Sequence, residues 1–327
     1  MLDEAAARCD ARPGSEPRAS EDPQQVARSE PQASGDQKLA IGFALLVALT
    51  WGLIVLGALV RAHGAGLACP DWPLCFGEWV PAMDVRVAFE YSHRGVAGSV
   101  ALCFTALAAA TWRRVPAGDP VRRLLVLGGS LLALQILLGA LTVWHLLAAW
   151  TVTSHLLVGN AFAATTAWTA LELRERRRRP DPRAPVTRPA RRWLAAVLAL
   201  LGVQLALGGL VSSRYAGLAC PEWPTCNGGL WFPSWGGVVG LHLLHRANGY
   251  LLFAALGALA WVCRESPRLA RLAYLAAALG ATQVVVGVAN VLSGIPVELT
   301  GLHSALAAAL VLAVTSAARE AYAARAR

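Results

Sequence analysis

The chain has 327 residues, of which 56% are hydrophobic and 15% charged, with a formal net charge of +9 and a mean hydropathy of +0.49. A soluble globular chain carries about a quarter charged residues, so this composition excludes that class and points to an integral membrane protein. The positive charge implies no nucleic-acid partner, because the arginine runs lack interleaved aromatic residues; they suit topology setting and contact with anionic membrane lipid.

Residues 1–38, rich in Ala, Arg, Glu, Pro, Ser and Gln, lack the apolar content to bury a core and are expected to form a disordered cytoplasmic tail. Crossing the hydrocarbon takes roughly 20 helical residues. Apolar runs of that length predict spans at Leu39 to Val60, Glu90 to Trp112, Leu124 to Trp144, Trp150 to Leu171, Trp193 to Ser213, Val239 to Val262, Leu272 to Leu292 and Glu298 to Ala318. Arginine is concentrated in alternate connections: Arg113, Arg114, Arg122 and Arg123 after the second span, Arg174 to Arg192 after the fourth, Arg264, Arg268 and Arg271 after the sixth. The C-terminal tail adds Arg319, Arg325 and Arg327, while the other loops hold little beyond Arg61, Arg86 and Arg214. Basic loops stay inside, so both termini are expected to be cytoplasmic.

The stretch AGLACPDWPLC, from Ala65, returns as AGLACPEWPTC from Ala216. Nearly the same register sets His93 and Arg94 opposite His245 and Arg246, and further on Gln135, Gly139 and His155 opposite Gln283, Gly287 and His303. The repeat therefore covers four helices. An even number returns the chain to its starting side, so the halves are related by an axis along the membrane normal. The expected fold is all-α: eight transmembrane helices forming two pseudosymmetric four-helix bundles, residues 39–172 and 193–318, joined by an Arg-rich cytoplasmic linker at 173–192 and followed by a short tail at 319–327.

Cys69 and Cys75 lie in the first outer loop and Cys220 and Cys226 in its repeat. One disulfide within each loop is expected on an oxidising face; redox-active thiols, a metal site or free thiols compete with that reading. Cys103 and Cys263 read as buried small apolar residues. Ionisable residues inside a span mark function. His93, His155, His245 and His303 fall at repeated positions, two per bundle, which suits bis-histidine ligation of a heme iron better than zinc, since zinc recruits more ligands. Interhelical hydrogen bonding or a proton relay is the alternative. Arg94 and Arg246 follow two of these histidines and are candidates for heme propionates or for lipid headgroups. Glu90 lies one turn before His93, whereas the matching place in the second half holds His242; either one bundle does chemistry while the other stores or passes electrons, or Glu90 is an acid favoured at a helix N-terminus by the dipole. No role follows from sequence for His242, His63 or His145.

The pattern EYSHR at Glu90 to Arg94, the repeated His-Arg, the late-helix histidines and the paired cysteine loops together resemble the heme A synthase family, over nearly everything from Leu39 to Ala318. The resemblance implies that the second half holds heme b through His245 and His303, and that the first half receives the substrate heme O between His93 and His155. It implies that Glu90 is required for activity, and that the reaction oxidises the C8 methyl group of heme O to the formyl group of heme A for cytochrome oxidase assembly. Cysteines of the first loop are implicated in handling reducing equivalents or substrate heme, while the second pair looks structural. A bacterial inner-membrane location is implied, with a heme O synthase and oxidase assembly factors as partners and self-association left open. The rivals are a diheme electron-transfer cytochrome, which leaves Glu90 idle, a membrane thiol oxidoreductase, and a transporter, which would need broken helices where this chain keeps its prolines in loops.

Overall fold

The computed structural model describes residues 23–176 and 186–323. Its elements are α1 (Pro23–Ala62), α2 (Val85–Trp112), α3 (Pro120–Trp144), α4 (Ala149–Glu175), α5 (Arg188–Ser213), α6 (Gly237–Val262), α7 (Pro267–Leu292) and α8 (Val297–Ala323), with no β-strand among the described residues. Helix starts follow capping chemistry. The Asp84 carboxylate accepts the N–H groups of Arg86 and Val87, Asp119 accepts that of Val121, and Thr187 accepts that of Ala190. Proline occupies the first turn of α3, α5 and α7, where its missing N–H costs nothing.

Six helices are long and apolar enough to cross a membrane: residues Gly35–Ala62 of α1, α2, α3, α5, α7 and Val297–Tyr322 of α8. Helices α4 and α6 are as long, but neither holds an 18-residue stretch of comparable hydropathy. In α4, Thr165, Thr166 and Thr169 are buried in protein and return their hydroxyl protons to the carbonyls of Ala161, Phe162 and Thr165. In α6 the dilution comes from His242, His245, Arg246 and Asn248.

In the first half α1 packs on α2 and α4, and α3 on α4; in the second, α5 packs on α6, α6 on α7 and α7 on α8. The halves meet through α4 against α8, α1 against α8 and α4 against α5, a pseudo-twofold arrangement. Trp51 donates its indole N–H to the Ala305 carbonyl at 3.0 Å, and Arg61 donates to the Ser212 carbonyl at 2.7 Å. Toward the opposite end Arg319, only 7% exposed, pairs with Glu172 at 3.0 Å and with Glu175.

Each bundle is packed solid at the end carrying the Arg-rich loops. Phe43, Phe104, Val121, Leu125, Phe162 and Leu173 fill the first, and Val197, Leu256, Leu259, Leu269, Ala273 and Val314 the second. The repeated cysteine loops cap the other end, seated on Val87 of α2 and Leu243 of α6.

Three expectations shift. Helix α1 starts at Pro23, well before Leu39, because the Gln, Ala, Glu and Lys residues ahead of the apolar run sustain a helix; residues 1–22 lie outside the described residues. The linker is shorter than expected, since α4 runs to Glu175 and α5 starts at Arg188; residues 177–185 of it lie outside the described residues. Cys103 is exposed rather than buried, whereas Cys263 is buried.

Candidate functional site

The four histidines come together as two pairs. His93 on α2 and His155 on α4 are close enough for their charges to interact, and so are His245 on α6 and His303 on α8. All four rings share one packing device. A Cβ on Gly57 of α1 would stand 3.0 Å from Cε1 of His93, and one on Gly139 of α3 would stand 3.4 Å from Cε1 of His155. In the second half the distances are 3.2 Å from Gly208 of α5 to His245 and 3.0 Å from Gly287 of α7 to His303. Each imidazole thus lies against a glycine on the helix preceding its own, and at Gly57, Gly208 and Gly287 an added Cβ would come closer than ordinary contact. The Nδ1 atoms of His93, His155 and His303 are buried without a hydrogen-bond partner.

Two partly buried imidazoles within interaction range of each other in each bundle would suit a bis-histidine heme, in which the porphyrin supplies the other ligands. Among the described residues no group of three or more His, Cys, Asp or Glu side chains could hold a metal ion, so a zinc tetrahedron finds no ligand set. The fit to heme rests on the glycine contacts and the unpartnered ring nitrogens.

Polar neighbours differ between the halves. Gln135 places its Nε2 3.2 Å from Nε2 of His155, while Gln283 donates to the backbone carbonyl of His303 at 3.0 Å. Gln204 lies 3.3 Å from Nδ1 of His245 and accepts from Asn248 at 2.8 Å. Their counterparts in the first half, Leu53 and Val96, are apolar. Sequence reading missed Gln204 and Asn248 because neither is repeated.

Both loop disulfides are formed, Cys69 with Cys75 and Cys220 with Cys226, at Cα separations of 4.7 and 4.3 Å. The arginines hold these loops as clamps. Arg94 donates from Nη1 to the carbonyls of Asp71 and Leu74 at 2.8 Å each and from Nη2 to that of Cys69 at 3.2 Å. Its Nε donates to Glu90 Oε1 at 2.9 Å, and Glu90 is 7% exposed. Arg246 donates to the carbonyls of Thr225, Cys220 and Glu222 at 3.1, 2.6 and 2.9 Å. A propionate contact at either arginine would have to share these donors.

Each loop also closes on its own acid. Asp71 accepts the N–H groups of Phe76 and Gly77 at 2.7 and 2.8 Å, and Glu222 accepts those of Gly228 and Gly229 at 2.9 and 3.0 Å. These bonds, first the one from Gly77 and first the one from Gly229, hold the two carboxyls below the usual carboxylate range.

His242, 3% exposed, stands where the first half has Glu90, and its Nδ1 accepts the N–H of Cys220 at 3.3 Å. It ties down the second loop and carries no charge partner like the Glu90–Arg94 pair. His63 bonds the Leu59 carbonyl and stacks on Phe89, while His145 caps α3 and meets Trp150 edge-on. Neither joins a histidine pair.

Comparison with known proteins gives the family. The family model described as cytochrome oxidase assembly protein matches residues 41–315. Curated relatives include a heme A synthase of Halalkalibacterium halodurans, 30% identical over 79% of this chain and 88% of the relative. A heme A synthase of Shewanella oneidensis is 30% identical over 85% and 93%, and one of Erythrobacter litoralis 32% identical over 81% and 92%. With most of its length and both histidine pairs inside the matched region, the chain belongs to the COX15-CtaA family of cytochrome oxidase assembly proteins.

Proposed function

We propose that the protein is a heme A synthase of a bacterial inner membrane, oxidising the C8 methyl group of heme O to a formyl group. The observation that carries this is the inequality of two otherwise matched histidine sites: Glu90 stands beside the His93 and His155 pair, and the second half has His242 instead. The first half receives heme O between His93 and His155. The second holds heme b through His245 and His303, which when bound offers a one-electron acceptor.

Turning a methyl into a formyl group puts one oxygen atom on the carbon and, with water as its source, releases four electrons and four protons. Glu90 Oε1 is held by Arg94, which leaves Oε2 as the atom to take a proton. The Glu90–Arg94 pair lies one turn from His93, so the carboxylate is fixed relative to the ring that positions the substrate. The apolar side chains Leu53 and Val96 in the first half, in place of Gln204 and Asn248, favour a hydrophobic substrate over a permanently hydrogen-bonded cofactor. The Cys69–Cys75 loop, clamped by the same arginine, is a second outlet for reducing equivalents. A heme O synthase is the natural donor partner and oxidase assembly factors the recipients. The arginine-rich loops support a cytoplasmic side for both termini.

Optical spectra of the purified protein, with pigment extraction after expression with and without a heme O source, test the assignment. Bis-histidine heme signals and accumulation of heme A only with heme O are expected. Absence of any bis-histidine signal overturns it. Glu90→Ala should keep heme b and lose heme A formation; a spectrum of two hemes with undiminished Glu90→Ala turnover, or with no conversion by the wild type, leaves the role of Glu90 or of synthase refuted in turn.

A further inference from the structure

The two bundles open in different places. In the first half α2 and α3 meet only briefly, near Phe104, whose ring lies against Gly128. The corresponding α6 and α7 pack along each other, with Leu256 against Gly280. In the second half the loose pair is α5 and α8, and α4 of the first half packs against both of them, so protein closes that opening. Helices α2 and α3 contact no helix of the other half, so their seam opens to the membrane.

Residue choice follows the same asymmetry. A Cβ at Gly95 or Gly98 of α2 would meet nothing within 4 Å. Their counterparts in the second half are Ala247 and Tyr250. Tyr250 accepts a hydrogen bond from Trp223 of the loop at 3.0 Å, latching that loop to α6. The first loop has the matching Trp72 but no tyrosine to hold it, and Trp72 leans edge-on against Trp144 at the end of α3, 6.1 Å between ring centroids. The first loop therefore bridges the top of the open seam, whereas the second is fastened beside a closed one. On the lipid-facing side of α2, Leu102, one turn beyond Gly98, is 75% exposed.

We propose that the α2–α3 seam is the lateral portal of the first site, through which heme O passes from the lipid to His93 and His155 with its isoprenoid chain lying between the helices beside Gly95 and Gly98. This rests on the reading of the first half as the substrate site. A site that exchanges an amphiphilic substrate with the bilayer needs an opening to lipid, and a site that retains a cofactor needs its opening sealed by protein. The two halves meet these requirements respectively.

The test uses the full chain in lipid nanodiscs with heme retained in the second half. Uptake of heme O, and of heme b as a porphyrin lacking the isoprenoid chain, is followed by the appearance of the second bis-histidine absorbance. Gly98→Tyr and Gly95→Leu should slow heme O uptake about tenfold or more and heme b uptake much less, because the chain, not the ring, occupies the filled space. Leu102→Trp, at a position already 75% exposed, supplies a seam variant without a packing change, and Val285→Trp on α7, 67% exposed, is the matched control expected to leave uptake unchanged. The heme signal of the second half reports folding in every variant. Wild-type rates for heme O in all three seam variants overturn the portal. Failure of the wild type to take up heme O at all instead removes the substrate-site reading, and the portal with it.

Discussion

Replacing Gly287 with alanine puts a Cβ 3.0 Å from Cε1 of His303. Carbon atoms in ordinary contact stand at least about 3.4 Å apart, so the ring or the helix has to yield by roughly 0.4 Å. A ligand bond to a metal tolerates displacements of about 0.2 Å, so the ring is pushed by about twice the tolerance of the bond it would make to a heme iron. The helix itself gains, because alanine in a helix interior is more stable than glycine by about 0.5–1 kcal/mol. The expected outcome is a protein no less stable to heat whose heme in the second half shifts from low-spin to mixed spin, read by absorption and electron paramagnetic resonance. The effect should be graded: Gly57→Ala, also at 3.0 Å, perturbs the first site as strongly, Gly208→Ala at 3.2 Å less, and Gly139→Ala at 3.4 Å least. Gly52→Ala, where a Cβ meets nothing within 4 Å, is the neutral comparison. Unchanged low-spin spectra in Gly57→Ala and Gly287→Ala, or a loss in Gly52→Ala equal to theirs, would refute the contact reasoning.

Arg94→Gln removes the charge-assisted bonds to the first loop, each worth roughly 1.5–3 kcal/mol, so thiol reagents should open the Cys69–Cys75 disulfide about tenfold faster or more, while Cys220–Cys226 keeps its wild-type rate. Asp71 and Glu222 have depressed carboxyl pKa values, so their hold on the loops is complete above the ordinary carboxylate range and is lost as pH falls through the depressed one. Hydrogen exchange at Phe76 and Gly77 should accelerate in acid, and Asp71→Asn should flatten that dependence; a profile unchanged by the substitution would place the effect elsewhere. Arg319→Met removes the pairing with Glu172 and Glu175 between the halves and should lower the thermal midpoint in detergent, by less than the roughly 3–5 kcal/mol of a fully buried pair because Glu172 is 31% exposed.

The helices were legible because hydropathy over a span-length window depends on composition alone: the expected ends at Trp112, Trp144, Ser213, Val262 and Leu292 are the observed last residues. The histidine pairs and the loop cysteines were legible because duplication displays each twice. Duplication also displayed Gly139 with Gly287, and the equally matched Gly57 with Gly208 could have been found the same way. The arginine clamps were hidden because their partners are backbone carbonyls, which no residue type announces. The unequal openings were hidden as well, since an apolar helix face reads alike whether it meets lipid or another apolar helix. The polarity of α4 was visible, but its cause, burial against both α5 and α8, depends on tertiary packing.

Between Cys226 and Leu230 the second loop holds one residue more than the first holds between Cys75 and Glu78, yet the same backbone pairing closes both, Cys226 N–H to the Leu230 carbonyl and Cys75 N–H to that of Glu78. The addition falls at the tip, where Gly228 and Gly229 have φ of 58° and 76° and Glu222 gathers their N–H groups. Length there has already changed once without displacing Arg246 or His245, so the tip is a natural graft point. A short epitope inserted between Gly228 and Gly229 should leave the bundle beneath it undisturbed and, through labelling of intact cells, report which side of the membrane the loops face.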